Sequence, residues 1–198
     1  NIGDRGAVEI GKNDTWKQLR VLSLYENSIG DIGAEAIAAN SSWGRLNELD
    51  LRRNKMGDKC ATALGLNTFW VYFVKLHLEE NSIGDEGVRG LTKHAWPFLE
   101  ELHLNDNVIG DNGAVALGKN ASWANLKVIS LFRNDIGEEG AAAIGNNTSW
   151  KNLKILSLYE NVIGDEGAMA LGQNIAWSEL KELYLSKNQI GDEGAVAI

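Results

Sequence analysis

Leucine and isoleucine alternate with polar residues in one fixed order along this chain, and the whole pattern occurs seven times. Each copy has the form Leu-x-x-Leu-x-Leu-x-x-Asn-x-Ile-Gly, with conservative replacements. The asparagines of successive copies stand 27, 27, 26, 27, 27 and 27 residues apart, at Asn27, Asn54, Asn81, Asn107, Asn134, Asn161 and Asn188. A period in this range predicts a solenoid, in which one small unit is stacked many times.

The segment from Leu153 to Trp177 shows what one unit contains. Leu156 and Leu158 alternate with more polar positions, which predicts a short strand with one buried face. Asn161 follows, where the chain must turn and leave peptide groups without strand partners. An amide side chain both donates and accepts hydrogen bonds, so these asparagines are predicted to form a ladder along the solenoid.

A short helix is predicted after the asparagine. We assign Asp165 as its N-cap, Ala168 and Leu171 to its buried face, and Gly172 to its end. Strand, helix and strand in succession give parallel strands with helices on one side. Strands lie about 4.8 Å apart, whereas packed helices need roughly 8–10 Å. The array must therefore curve, and we predict an α/β horseshoe with a parallel sheet on its concave face and short helices on its convex face.

This pattern resembles that of the leucine-rich repeats, and the resemblance covers the whole chain. The added Gly-Asp-Glu-Gly-Ala-x-Ala-Leu segment resembles the ribonuclease-inhibitor-like subclass, which also occurs in NOD-like receptors. Two differences leave the branch of the family open: the repeat is slightly short, and a tryptophan precedes each strand. The resemblance implies a non-catalytic scaffold for protein–protein interaction. It fits an enzyme inhibitor, the ligand-sensing region of a larger receptor, or a microbial effector.

The ends of the chain both fall inside a repeat. Asn1 to Asp4 match the residues just after a strand, and Ala195 to Ile198 match the middle of a helix. We therefore expect residues 1–198 to be a single leucine-rich-repeat domain of about seven 27-residue repeats, truncated in mid-repeat at both ends. Terminal repeats of solenoids usually carry polar caps. A longer parent chain and end-to-end association are both open, and so is a purely structural or assembly function.

The net charge of −8 argues against nucleic acid as the main partner, because phosphate binding needs a basic surface. No apolar run reaches the length of a membrane span. The one cysteine, Cys60, stands where sister repeats have glycine, so we interpret it as a small buried residue rather than a reactive thiol. The sequence leaves the compartment open, with the cytoplasm favoured, and predicts no cofactor.

Tryptophan occupies one repeat position throughout. We interpret the row as a stacked hydrophobic spine, and a row of platforms for bases or sugars is the alternative. The row consists of Trp16, Trp43, Trp70, Trp96, Trp123, Trp150 and Trp177.

Residues between the inward leucines are predicted to face the concave side, where variation costs the fold little. The later strands carry an apolar and aromatic group next to an arginine, which is typical of an interface hot spot. The middle strands carry acidic residues suited to steering a basic partner. We predict a partner-binding anchor of Phe132, Tyr159, Ile155, Tyr184 and Arg133, with steering by Glu79, Glu80, Glu101 and Asp106. A solvated sheet with no partner is the alternative.

His77 and His103 are predicted at equivalent positions on adjacent strands, within about 5 Å of each other, with Glu79 nearby. Two imidazoles on an open sheet lack a cavity that excludes water, and no nucleophile accompanies them. We therefore predict neither a metal site nor a catalytic site.

Asn-x-Ser/Thr sequons occur at Asn13, Asn40, Asn120, Asn146 and Asn147. Glycosylation is one reading of them. We favour the other, that they are a by-product of the repeat consensus Asn-x-Ser/Thr-Trp.

Overall fold

The computed structural model describes all 198 residues as an alternating series of seven strands and eight helices. None of the helices has the length and apolar character needed to cross a membrane. The strands are β1 (Val21–Ser23), β2 (Glu48–Asp50), β3 (Lys75–His77), β4 (Glu101–His103), β5 (Val128–Ser130), β6 (Ile155–Ser157) and β7 (Glu182–Tyr184). The helices are α1 (Asp4–Gly11), α2 (Asp31–Ala38), α3 (Asp58–Leu66), α4 (Asp85–Leu91), α5 (Asp111–Gly118), α6 (Glu138–Gly145), α7 (Asp165–Gly172) and α8 (Asp192–Val196).

The seven strands form one parallel sheet in the order β1 to β7. Equivalent residues of neighbouring repeats pair with one another, as Leu49 does with Leu76 and His77 with His103. This register is the one that the repeat pattern predicts, since a shift by one residue would turn every leucine out of the core. The predicted horseshoe, with strands on its concave face and helices on its convex face, is confirmed.

The core is a single cluster of 43 buried residues that runs the length of the array. The strand leucines, such as Leu156 and Leu158, are fully buried between the sheet and the helices. Each such side chain contributes roughly 1.5–3 kcal/mol relative to an exposed one. Because every repeat adds the same layer, the core grows with the number of repeats.

Five of the seven tryptophans are essentially inaccessible to solvent. Trp43 stacks on Trp70 with ring centroids 6.5 Å apart, and Trp96 stacks on Trp123 at 5.9 Å. Phe73 contacts both Trp70 and Trp96, and so continues the row where the rings of these two repeats are separated. The row is thus a spine inside the core, and a set of open platforms for bases or sugars is excluded for these five.

An asparagine follows every strand and joins two repeats, and it is buried at Asn107, Asn134 and Asn161. The Asn107 Nδ2 group donates to Leu104 O of its own repeat and to Leu78 O of the preceding one, both at 3.0 Å. Its Oδ1 accepts a hydrogen bond from Ile83 N at 2.9 Å. The same bonds recur at Asn54, so the amide supplies partners that the turning backbone lacks.

A second asparagine row precedes the tryptophans and includes three of the sequons. The Asn40 Nδ2 group donates to Gly11 O and Asn13 O, both at 2.8 Å. Asn40, Asn120 and Asn147 are at most 7% exposed. A glycan on this nitrogen would displace at least one of these bonds, which supports the interpretation of these three sequons as a by-product of the repeat. Asn146 is exposed and Asn13 is partly exposed.

The prediction that Asp165 caps its own helix is wrong. The helix begins at Asp165, and the N-cap is Gly164, which makes no side-chain capping bond. Asp165 Oδ1 instead accepts hydrogen bonds from Gly191 N at 2.7 Å and Gly194 N at 3.0 Å, at the start of the next helix. Each aspartate therefore caps the following repeat. The same kind of bond is made by Asp4, Asp31, Asp58, Asp85 and Asp111.

Candidate binding surface on the sheet

The outward side chains of the strands form three rows across the sheet. In β6 these positions are Ile155, Ser157 and, just after the strand, Tyr159, while the leucines between them point into the core. The rows are continuous because neighbouring strands pair in register. Together they form what we call the concave surface.

A shallow depression lies on this surface near its C-terminal end. It is lined by Phe132, Arg133, Ser157, Tyr159 and Tyr184. The Phe132 and Tyr159 rings meet edge to face with centroids 6.3 Å apart. Tyr184 is 49% exposed. Four of the five residues predicted as the anchor are thus brought together.

Ile155, the fifth predicted anchor residue, lies beside the depression rather than in it. It is the first residue of β6, and its neighbours in the sheet are Val128 and Glu182. It is partly buried.

Charged residues surround the depression. The Arg133 Nε group lies 2.9 Å from Glu160 Oε2, and Arg133 NH1 lies 3.4 Å from Asp106 Oδ1. The Lys187 ammonium lies 5.2 Å from the centre of the Tyr159 ring, within cation–π range. Burial raises the pKa of Asp106, and the favourable charge of Arg133 offsets this only in part. The arginine is held beside the aromatic rings by two carboxylates.

Three of the four acidic residues predicted for steering are paired with basic side chains. Glu80 pairs with Arg53 at 2.7 Å, Glu101 pairs with Lys75 at 2.7 Å, and Asp106 pairs with Arg133 as described above. Each pair joins neighbouring strands. The pairing reduces the field that these carboxylates project into solvent.

The remaining acidic residue, Glu79, is buried among the strand side chains, with 8% of its surface exposed. Its Oε1 lies 3.4 Å from His77 Nδ1. The His77 and His103 rings stack with centroids 4.7 Å apart and planes 11° apart. Burial lowers the pKa of His103, although the nearby Glu79 carboxylate acts in the opposite direction.

Sequence reasoning missed a second aromatic and arginine group, at the N-terminal end of the concave surface. Arg52 and Arg53 both lie over the Tyr25 ring, 5.1 and 5.7 Å from its centre. Arg52 is fixed by two hydrogen bonds to the Asp50 carboxylate, of 2.9 and 2.7 Å. The sequence contains the information that would have predicted this group, because Tyr25 and Arg52 occupy the same repeat position and therefore lie side by side in neighbouring repeats.

A further apolar patch lies away from the sheet, in the loops that lead from the helices back to the strands. Tyr72 and Phe98 stack with centroids 6.2 Å apart, and both are at least half exposed. Phe69 nearby in the chain is 52% exposed. The sequence distinguishes this loop from the equivalent loops, because residues 68–73 depart from the consensus of the other repeats.

One feature of the backbone shapes the row next to the depression. The residue before each ladder asparagine has a left-handed conformation, with φ between 50° and 56°. Such a conformation costs a non-glycine residue roughly 1–2 kcal/mol. It recurs at Glu26, Arg53, Glu80, Asp106, Arg133, Glu160 and Lys187. The charged side chains of this row, such as those of Arg133 and Glu160, form ion pairs between neighbouring repeats.

Comparison with known proteins places these features in context. The family model described as Leucine Rich repeat matches seven segments that together make up more than half of the chain: residues 18–38, 46–65, 72–91, 97–118, 124–145, 151–172 and 179–198. No curated protein sequence matches the chain. The ribonuclease-inhibitor-like subclass stays a prediction.

Several solved structures have the same fold. An internalin (InlF) from Listeria monocytogenes superposes with a TM-score of 0.67 at 22% identity, over 96% of this chain and 47% of its own. The plant peptide hormone receptor RGFR1, in complex with RGF2, gives 0.59 at 20% identity, over 93% and 30%. A TDR receptor gives 0.55 at 19% identity, over 88% and 31%. The chain thus spans less than half the length of these proteins.

Proposed function

Because the chain belongs to the leucine-rich-repeat family, we propose that it is a non-catalytic module that recognises a protein partner on its concave surface. Leucine-rich repeats are generally protein-interaction modules. The observation that carries the proposal is the depression formed by Phe132, Tyr159 and Tyr184 beside Arg133. Aromatic residues and arginine dominate the binding energy of protein interfaces.

The chemistry of the depression supports an apolar or aromatic anchor from the partner. Three of the five residues that line it are aromatic, and the other two are Ser157 and Arg133. Arg133 is already oriented by Glu160 and Asp106, so little side-chain freedom is lost when a partner binds. The acidic residues Glu79, Glu80, Glu101 and Asp106 remain, as a proposal, the steering group, with their field weakened by pairing.

The structural relatives are compatible with this use of the fold. RGFR1 is a peptide hormone receptor in complex with RGF2. The same fold is therefore used by a receptor for a peptide hormone. The competing proposal for this chain is a structural or assembly segment with no ligand on its concave surface.

The test is a pull-down with the chain, run beside two matched double variants. Phe132→Ala/Tyr159→Ala removes the anchor, and Tyr72→Ala/Phe98→Ala removes a more exposed aromatic pair outside the sheet. We expect the partner to be retained by the wild type and by the second variant and to be lost by the first. Hydrogen exchange of the complex should then show protection in β5 to β7.

Other outcomes would redirect the proposal. Loss of the partner only in Tyr72→Ala/Phe98→Ala would move the binding site to the loop patch. No partner at all, together with a molecular size that rises with concentration, would favour assembly. Phe132→Ala/Tyr159→Ala should lower the free energy of unfolding by no more than about 1 kcal/mol, since both rings are partly exposed. A much larger loss would mean that these rings are part of the core.

A further inference from the structure

We propose that His77, Glu79 and His103 form a binding site for one divalent transition-metal ion on the concave surface. The sequence argument against such a site was that an open sheet does not exclude water. The structure differs on this point, because Glu79 is 8% exposed and both imidazoles are only partly exposed. The inference is independent of the proposed protein partner.

The geometry brings three ligand atoms into one place. His77 and His103 are paired residues on β3 and β4, and Glu79 follows His77 on the same side of the sheet. A ring nitrogen of each histidine and a carboxylate oxygen all lie within 4.8 Å of one another. Tetrahedral zinc, with bonds of about 2.0–2.1 Å, needs ligand atoms roughly 3.4 Å apart. Side-chain rotations that bring these atoms closer together by about 1.4 Å would close the site.

Unpaired buried atoms point to a missing ligand. Glu79 Oε2 and His103 Nε2 are both inaccessible to solvent and have no hydrogen-bond partner. The neighbouring Asn105, also 8% exposed, has an unpaired Oδ1. A carboxylate oxygen buried without a partner is costly, and native structures rarely leave one unexplained. A bound cation would satisfy the carboxylate and the imidazole together.

The surrounding charges favour a cation. Glu101 Oε2 lies 3.6 Å from His103 Nε2 and adds negative charge at the site, which the pairing of the other Glu101 oxygen with Lys75 at 2.7 Å reduces. Two basic side chains of the neighbouring strands are held in pairs, Lys75 by Glu101 and Arg52 by Asp50. No free positive charge therefore opposes the ion from these two positions.

The donor set identifies the class of ion. Two imidazoles and one carboxylate suit Zn²⁺, Co²⁺, Ni²⁺ or Cu²⁺, whereas Mg²⁺ and Ca²⁺ prefer oxygen ligands alone. Three protein ligands would leave at least one coordination position open.

The experiment is a titration of the chain with Zn²⁺ by calorimetry and with Co²⁺ by visible absorption. We expect one ion per chain, d–d bands of tetrahedral Co²⁺, and no response to Mg²⁺. His77→Ser and His103→Ser remove one ligand each and suit the fold, because Ser23, Ser130 and Ser157 occupy the same row. Each of these two single variants, and the single variant Glu79→Gln, should raise the Kd for Zn²⁺ at least about tenfold.

His94 provides the matched control, because it is the third histidine of the chain and lies beside Trp96, outside the cluster. His94→Asn restores the asparagine that other repeats carry at this position and should bind metal like the wild type. Circular dichroism confirms that each variant is folded. The proposal is overturned if the wild type takes up no stoichiometric Zn²⁺ or Co²⁺. Equal affinity in the folded serine variants, or loss of binding in His94→Asn alone, would overturn it as well.

Discussion

Glu138 is the only residue at the first position of a helix in this chain that is not aspartate. In most other repeats the shorter carboxylate accepts two N–H groups of the next helix, as Asp111 does from Gly137 and Gly140, both at 2.8 Å; Asp58 accepts one, from Gly84. The longer Glu138 side chain makes no corresponding hydrogen bond to Gly164 or Gly167. We therefore predict that Glu138→Asp stabilises the fold.

The magnitude follows from the bonds that would be gained. A side chain that caps a helix contributes about 0.5–2 kcal/mol, typically about 1 kcal/mol. Aspartate is a poorer helix former than glutamate, but the propensities of ordinary residues span only about 0.7 kcal/mol. The negative charge beside the helix start is present in both cases. The hydrogen bonds therefore decide the sign, and we expect a gain of about 1 kcal/mol, or roughly 2–4 °C in Tm.

Urea and thermal unfolding of three variants test this reasoning. Glu139→Asp makes the same chemical change one residue later, at an exposed position, and should leave stability unchanged. Asp111→Glu is the reverse substitution and should cost about 1 kcal/mol. If Glu138→Asp and Glu139→Asp behave alike, or if Asp111→Glu is neutral, the aspartate row does not act as a set of caps.

Three further results are expected. Asn134→Ala removes a buried amide that bonds to the backbone of two repeats, and it leaves several backbone groups unpaired, so urea unfolding should show a loss of about 3 kcal/mol or more. Burial raises the pKa of Asp50, but hydrogen bonds from Arg52 outweigh this and hold it below its ordinary value. That stabilisation is complete above about pH 4 and is lost as the pH falls through the lowered pKa. Asp50→Asn should therefore destabilise the fold at neutral pH, and the difference from the wild type should shrink as the pH falls through that lowered pKa. Burial raises the pKa of the Cys60 thiol, so a thiol reagent such as DTNB should react with it only when the chain unfolds.

The fold could be predicted from the sequence because the period and the leucine alternation determine the register. Once Leu49 and Leu76 must both be buried, every other pair of residues on β2 and β3 is fixed. The same logic places His77 beside His103 from the sequence alone, as the sheet pairing has them. It also placed Phe132 and Tyr159 in one row.

The sequence could not predict features that depend on the distance between repeats. Asp165 carries the local signs of an N-cap, but the amides that it reaches belong to a helix 26 residues later. The left-handed backbone at Arg133 has no signal in its side chain, because arginine does not favour that conformation. The burial of Glu79 depends on how the neighbouring side chains pack over it, and alternation alone assigned it to the open face.

The two polar ladders have a consequence for how the array folds. The aspartates complete the amides of the repeat that follows, whereas the asparagines complete the carbonyls and amides of the repeat that precedes. A single repeat therefore cannot by itself supply hydrogen-bond partners for the amides at its helix start or for the backbone groups at its turn. In a one-dimensional Ising description, this places the stability in the junctions between units and makes an isolated repeat unfavourable. The smallest folding nucleus is then a pair of adjacent repeats. Each later repeat folds against a neighbour that is already folded.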